Sequence, residues 1–190
     1  KRGHYEFDMK GQEGTCIGSV NGDSELFIEY CDMDIYSGIS NGTIIGSVNG
    51  DADIKLENIS AKLQGAGNII TGIGTIAGNS CMVRLENVNI SSNIRAKECY
   101  GIGCRAGRTN IYIGYAAVKS VVQGKAAVAF GNSIMSAKLY CSNADIGTNA
   151  VTEFHSDIGA LEKNIQLENG RAEFILNGQE VKRQILAARL

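Results

Sequence analysis

The sequence predicts an all-β fold, a right-handed parallel β-helix of about six rungs, and three observations predict it. First, a phrase returns. Ile17-Gly18-Ser19-Val20-Asn21-Gly22 recurs as Ile45-Gly46-Ser47-Val48-Asn49-Gly50, in altered form at 73–78 and 102–107, and as echoes at Phe130-Gly131 and Ile158-Gly159. The starts lie 28, 28, 29, 28 and 28 residues apart, a fixed period that marks a repeat architecture. Second, apolar residues alternate within each unit, with period two and one change of phase, which describes short strands joined by a bend. Third, glycine is abundant at 24 while proline is absent, which reads as repeated tight turns rather than disorder. Such units stack as parallel rungs about 4.8 Å apart, so six rungs span roughly 29 Å. A β-propeller blade needs some 40 residues, more than this period supplies.

One domain, residues 1–190, is expected at this length. Residues 1–16 precede the first full repeat and are expected to cap it. His4-Tyr5-Glu6-Phe7-Asp8-Met9 alternates as a strand, and Gly11-Gln12-Glu13-Gly14 reads as a turn. Six repeats follow over 17–185. In repeat one, Leu26 and Ile28 point inward from the first strand, and Cys31, Met33 and Ile35 from the second. Ile54, Leu56, Ile59, Ala61 and Leu63 take those places in repeat two. The bend falls at Glu57-Asn58, Glu86-Asn87 and Ser142-Asn143, because Asn tolerates left-handed backbone. The other corner is Asn21-Gly22, Asn49-Gly50, Ala77-Gly78 and Ala106-Gly107, where glycine is expected to supply positive φ. Repeat three carries one extra residue, read as a bulge or longer corner. In repeat six, Leu167-Glu168-Asn169 matches Leu56-Glu57-Asn58 shifted by two, which keeps each side chain on its face. Residues 180–190 turn helix-like, with Val181, Ile185, Leu186 and Leu190 on one stripe, and are expected to form a cap or a tail that contacts a partner.

A net charge of −2 argues against a general nucleic-acid-binding surface. No apolar run approaches the 18 residues of a membrane span, no leader is visible, and a start at Lys1 fits a fragment. Cys16, Cys31, Cys81, Cys99, Cys104 and Cys141 follow neither a CxxC pattern nor a compact secreted framework. They read as buried reduced thiols, which favours a reducing compartment and a cytoplasmic location.

Stacking turns offsets into columns, and one outward column carries the candidate site. It reads Phe27, Lys55, Arg84, Tyr112, Tyr140, beside Glu29, Glu57 and Glu86, with Gly114 and Ser142 continuing that second column. Three carboxylates one rung apart repel unless paired, and Lys55 and Arg84 are their expected partners. Aromatic rings next to cations form an exposed amphipathic strip suited to a sugar ring or a partner protein. A solvated sheet face with side-chain ladders is the plainer reading of the same column. Asp23, Asp51 and Asn79 align at one corner. Calcium-binding rolls repeat every nine residues with G-G-x-G-x-D, which is absent, so these acids read as turn caps rather than metal ligands. Glu153-Phe154-His155-Ser156-Asp157 crowds acid, histidine and serine into one loop, and a triad is assembled by tertiary structure, not by adjacency. Glu29, Glu57, Glu86 and Arg84 imitate the acids and arginines of β-helical polysaccharide lyases, but the regular period leaves no long cleft-building loops. Gly65-Ala66-Gly67 does not lead from a strand into a helix and is no dinucleotide fingerprint.

The phrase Ile45-Gly46-Ser47-Val48-Asn49-Gly50-Asp51, followed by an alternating strand and Leu56-Glu57-Asn58, resembles the degenerate Gly-Ile-Gly repeats of proteins from Gram-positive bacteria, many of them surface carbohydrate-binding proteins. The cysteine-containing form here, with Ala127-Val128-Ala129-Phe130-Gly131 and Asn169-Gly170-Arg171-Ala172-Glu173-Phe174, looks most like β-helical regions attached to LytTR-type DNA-binding transcription regulators. The resemblance covers residues 17 to about 178 and rests on turns and core positions, so it carries no functional residues over. It implies a non-enzymatic sensory or interaction module without a cofactor, whose partner is a small molecule or a protein. The alternative is a cell-surface carbohydrate-binding or adhesive module. An end-to-end homodimer through the less well capped end is a further expectation.

Overall fold

The computed structural model describes residues 3–182 and shows a parallel β-solenoid with the period read above. Four long strands alternate with short ones in the first half: β1 (Gly3–Asn21), β2 (Ser24–Glu29), β3 (Cys31–Asn49), β4 (Ala52–Glu57), β5 (Ser60–Thr75), β6 (Ser80–Glu86), β7 (Asn89–Cys104) and β8 (Arg108–Gly114). The second half is more broken: β9 (Ala117–Gln123), β10 (Ala126–Asn132), β11 (Lys138–Ser142), β12 (Asp145–Val151), β13 (Ile158–Gly159), β14 (Ile165–Glu168), β15 (Arg171–Leu176) and β16 (Gln179–Glu180). A single 3-10 turn, Glu162–Asn164, precedes β14.

Two sheets result. One is the short-strand sheet, ordered β14-β11-β8-β6-β4-β2. The other wraps the remaining faces in the order β1-β3-β5-β7-β9-β12-β15-β16, with β10 between β7 and β13. Among the described residues the strands of successive rungs pair in parallel, and the antiparallel contacts are the terminal hairpin β15–β16 and an isolated Ser136–Ala160 bridge. The repeated phrase sets the register: Ile17, Ile45, Ile73, Ile102, Phe130 and Ile158 pair in succession. From Ile45 to Ile158 these side chains are fully buried. A second inward column, Ile54, Val83, Ile111, Leu139 and Ile165, runs through the short-strand sheet and is equally buried. Each such residue stabilises the stack by about 1.5–3 kcal/mol relative to exposure, and none can do so without its neighbouring rungs.

Several expectations are corrected. Residues 3–16 do not merely cap the first rung; they are in register with 31–44 and form part of a rung themselves. Gly11–Gly14 is not a turn but lies within β1, held extended because β3 pairs with it on both sides of Gln12. Positive φ is found at Gly22 and Gly107 but not at Gly50 or Gly78. In those two rungs glycine is needed for closeness, since a Cβ on Gly78 would run into the Gly50 carbonyl. Persistent positive φ belongs instead to the second residue of the phrase, Gly18, Gly46, Gly74, Gly103 and Gly131. The extra residue of repeat three falls at the corner: Ser47 pairs with Thr75, 28 residues on, while Ala52 pairs with Cys81, 29 residues on. Repeat six is shorter by two, since Leu139 pairs with Ile165, and the shortening lies between Gly159 and β14. Of the expected C-terminal helix over 180–190, Glu180 is in β16, Val181 and Lys182 are in no helix, and the rest lies outside the described residues. Among the described residues, no helix is long and apolar enough to cross a membrane.

The first rung, like the last with Leu167, Ala172 and Leu176, is less closed than those between. Its inward residues Phe7, Cys16, Ile17, Leu26 and Ile28 are only partly buried against the core. Their partners one rung on, Ile35, Ile44, Ile45, Ile54 and Leu56, are at most 2% exposed.

Candidate functional site

The short-strand sheet builds the candidate site by keeping alternate side chains outward in register. Phe27 pairs with Lys55, Lys55 with Arg84, Arg84 with Tyr112 and Tyr112 with Tyr140. The adjoining column runs Glu29, Glu57, Glu86, Gly114 and Ser142 in the same way. The structure therefore brings all eight strip residues onto one face. It also extends both columns by one rung, to Gln166 and Glu168.

Within the strip, Lys55 bridges two neighbours. Its Nζ lies 4.8 Å from the Phe27 ring centroid and 2.7 Å from Glu57 Oε2, so the cation rests on a ring face and is neutralised from the side. Arg84 departs from expectation. Its guanidinium pairs with Asp53, one rung back on the outer edge of the strip, rather than with a glutamate. The long arginine side chain reaches diagonally between rungs, and Asp53 is the carboxylate on that side. Glu86 lies over Gly114, in the space a Cβ there would fill. Among the described residues, no cation pairs with Glu29, Glu86 or Glu168.

Tyr112 and Tyr140 stack with ring centroids 5.0 Å apart and planes within 9° of parallel. Coplanar rings could not come so close, so the two overlap face to face, like roof tiles. Each covers one face of the other, and the next residues along the column are Arg84 beyond Tyr112 and Gln166 beyond Tyr140. Beside them runs an open groove of about 730 Å³, lined by Lys55, Glu57, Met82, Arg84, Glu86, Tyr112, Tyr140, Ser142, Gln166 and Glu168, with Gly114 in its floor. Gln166 and Glu168 were not among the residues picked from the sequence. The early recurrence of Leu167-Glu168-Asn169 was the signal that placed them.

The aligned acids at the entry corner hold backbone. Asp23 Oδ1 accepts from the Asp51 amide at 2.8 Å. Asp51 Oδ1 accepts from both Asn79, at 2.7 Å, and Ser80, at 3.0 Å, which takes in the extra residue of that rung. Next to them runs a column the sequence reading missed. Ser47 Oγ donates to the Gly22 carbonyl, Thr75 Oγ1 to Gly50, Cys104 Sγ to Ala106 and Asn132 Nδ2 to Gly107. Ser47, Thr75 and Asn132 reach the corner carbonyl one rung back while Cys104 reaches that of its own rung, and this variety hid the column from pattern reading.

Elsewhere, Ser156 Oγ donates to Asp157 Oδ1 at 2.9 Å, and Asp157 accepts from Thr148 through its other oxygen. The Asp157 carbonyl takes the amides of Ala129 and Phe130. The loop's serine and acid thus serve to close the shell of rung five. All six cysteines are free; five are buried and Cys16 is half-buried. Burial pushes the Cys99 thiol up to about 11 and Cys141 up to about 12, and also raises Cys81 and Cys104.

No family model, curated protein or solved structure matches this chain.

Proposed function

We propose that this chain is a non-catalytic recognition module that binds an extended saccharide in the groove beside Tyr112 and Tyr140. The observation that carries this reading is the tyrosine pair itself, tiled across two rungs with Tyr112 exposed, in a groove bordered by Glu, Ser and Gln side chains. A pyranose ring stacks its C–H face on an aromatic face while its hydroxyls hydrogen-bond to planar polar groups at the sides. A peptide suits the surface less well. The floor is the middle of a sheet whose backbone is already paired in the ladder, so it offers a peptide's amides no main-chain partners.

Attached to a DNA-binding region, the same groove would be the sensory surface of a transcription regulator. At the cell surface it would be adhesive. The binding event is common to both settings, and so is its test. The 190-residue chain is applied to a glycan array beside Tyr140→Ala. We expect a small set of linear glycans to bind, with affinity falling about tenfold in the variant, the magnitude of one lost stacking contact. An array with no bound glycan, or equal binding by a folded Tyr140→Ala, overturns the reading.

A further inference from the structure

The charges in the groove are unevenly satisfied, and this bears on which saccharide fits. Its two cations are already engaged, Lys55 by Glu57 and Phe27, and Arg84 by Asp53. The two remaining carboxylates, Glu86 and Glu168, have no cation partner among the described residues. They stand at either end of the tyrosine pair: Glu86 pairs in register with Gly114 on the strand of Tyr112, and Glu168 with Ser142 on the strand of Tyr140. Three rungs separate them, roughly 14 Å at the usual strand spacing. Lys138 and Arg108, cations on the strands of the two tyrosines, do not line the groove.

Resting on the saccharide reading above, we infer that the ligand is a cationic amino-sugar oligomer. Its protonated amines meet Glu86 and Glu168, while a ring between them packs on the part of the tyrosine pair that lines the groove. Carboxylates beside aromatic rings complement an ammonium group twice over, by charge-assisted hydrogen bonds and by cation–π attraction. A neutral glycan would leave both carboxylates without a counter-charge. An acidic glycan would be repelled by them, because the groove's own cations are already paired.

Binding of three hexamers to the 190-residue chain is measured by calorimetry at pH 6, in low salt and again in 0.5 M salt (salt screens exposed charge). The three are the fully deacetylated glucosamine hexamer, its N-acetylated form and the neutral glucose hexamer. The expected result is that the glucosamine hexamer binds at least about tenfold tighter than either other at low salt, with the advantage shrinking at high salt. Glu86→Gln and Glu168→Gln, both at exposed or half-exposed positions that do not disturb packing, should each remove about three- to tenfold of that advantage, weakening the glucosamine hexamer more than the neutral one. Equal or tighter binding of the neutral or acetylated hexamer, or unaltered glucosamine binding by both variants, overturns the charge assignment while the saccharide reading stands. No binding by any hexamer overturns both.

Discussion

The short-strand sheet is entered by one kind of turn and left by another, and the two follow different rules. The leaving turn always uses one residue with left-handed backbone: Tyr30, Asn58, Asn87, Tyr115, Asn143 and Asn169, with φ between 46° and 54°. Its length does not change. Leu56 to Ser60, Leu85 to Asn89 and Leu167 to Arg171 span the same distance in register. The entering turn changes length, with a residue added in repeat three and two lost in repeat six. Yet the Ile-Gly phrase leading into it is the stricter in chemistry. Left-handed backbone alone tolerates Asn and even Tyr where the side chain points into open space. At Gly18, Gly46, Gly74 and Gly103, φ of 133–140° and the next rung's carbonyl in the place of a Cβ together demand glycine.

Three substitutions test that contrast, in falling order of effect. Gly74→Ala should be the most damaging. Gly74 has φ 140°, and an added Cβ would fall on the Gly103 carbonyl of the next rung. Strained backbone and a broken ladder together should cost about 4 kcal/mol or more, read from urea unfolding. A loss below about 1 kcal/mol would show that the rungs can separate there at little expense, and would remove the distinction between the two turns.

Asp51→Ala should be intermediate. It strips the acceptor from the Asn79 and Ser80 amides, which sit where water can replace it in part, so about 1–2 kcal/mol is expected. Asp51→Asn, which keeps an acceptor oxygen, should recover most of the loss in thermal melts. If the two variants melt alike, the carboxylate is not what accommodates the inserted residue.

Asn58→Ala should be mildest, at about 1 kcal/mol. The alanine must hold φ near 54° without the Asn87 Nδ2 to Asn58 Oδ1 bond of 2.6 Å. Asn58→Gly should be nearly neutral, since glycine adopts that backbone freely. A glycine variant as unstable as the alanine one would assign the loss to the side-chain bond rather than to the backbone.

The same contrast explains what could be read from the sequence. Repetition at a constant period gave the register, and with it the inward columns of the short strands and the eight strip residues from Phe27 to Tyr140. Assigning positive φ to Asn-Gly rather than Ile-Gly was the main misreading at the entering turn, although the degenerate repeats held the clue. Phe130-Gly131 and Ile158-Gly159 keep the second residue of the phrase after the Asn-Gly pair is gone. Tyr30 and Tyr115 escaped notice because tyrosine is no turn former; the neighbouring rungs, not local preference, hold them left-handed. In the groove, the columns were legible but the partners were not. Arg84 chose Asp53 through the reach and direction of a flexible side chain, which periodicity does not encode.

The half-open first rung has a consequence for how the molecule comes apart. A stack held by nearest-neighbour contacts melts from its ends, and amides near a loosely covered end trade hydrogen with solvent long before those in the middle. With Phe7, Ile17, Leu26 and Ile28 at one end and Leu167, Ala172 and Leu176 at the other only partly covered, both terminal rungs peel away before those between them. The groove begins at Lys55, one rung in from the first, and runs away from that edge to Glu168. Fraying of the first rung can therefore consume one complete turn of the coil and leave the groove intact, whereas fraying of the last rung takes Gln166 and Glu168 with it.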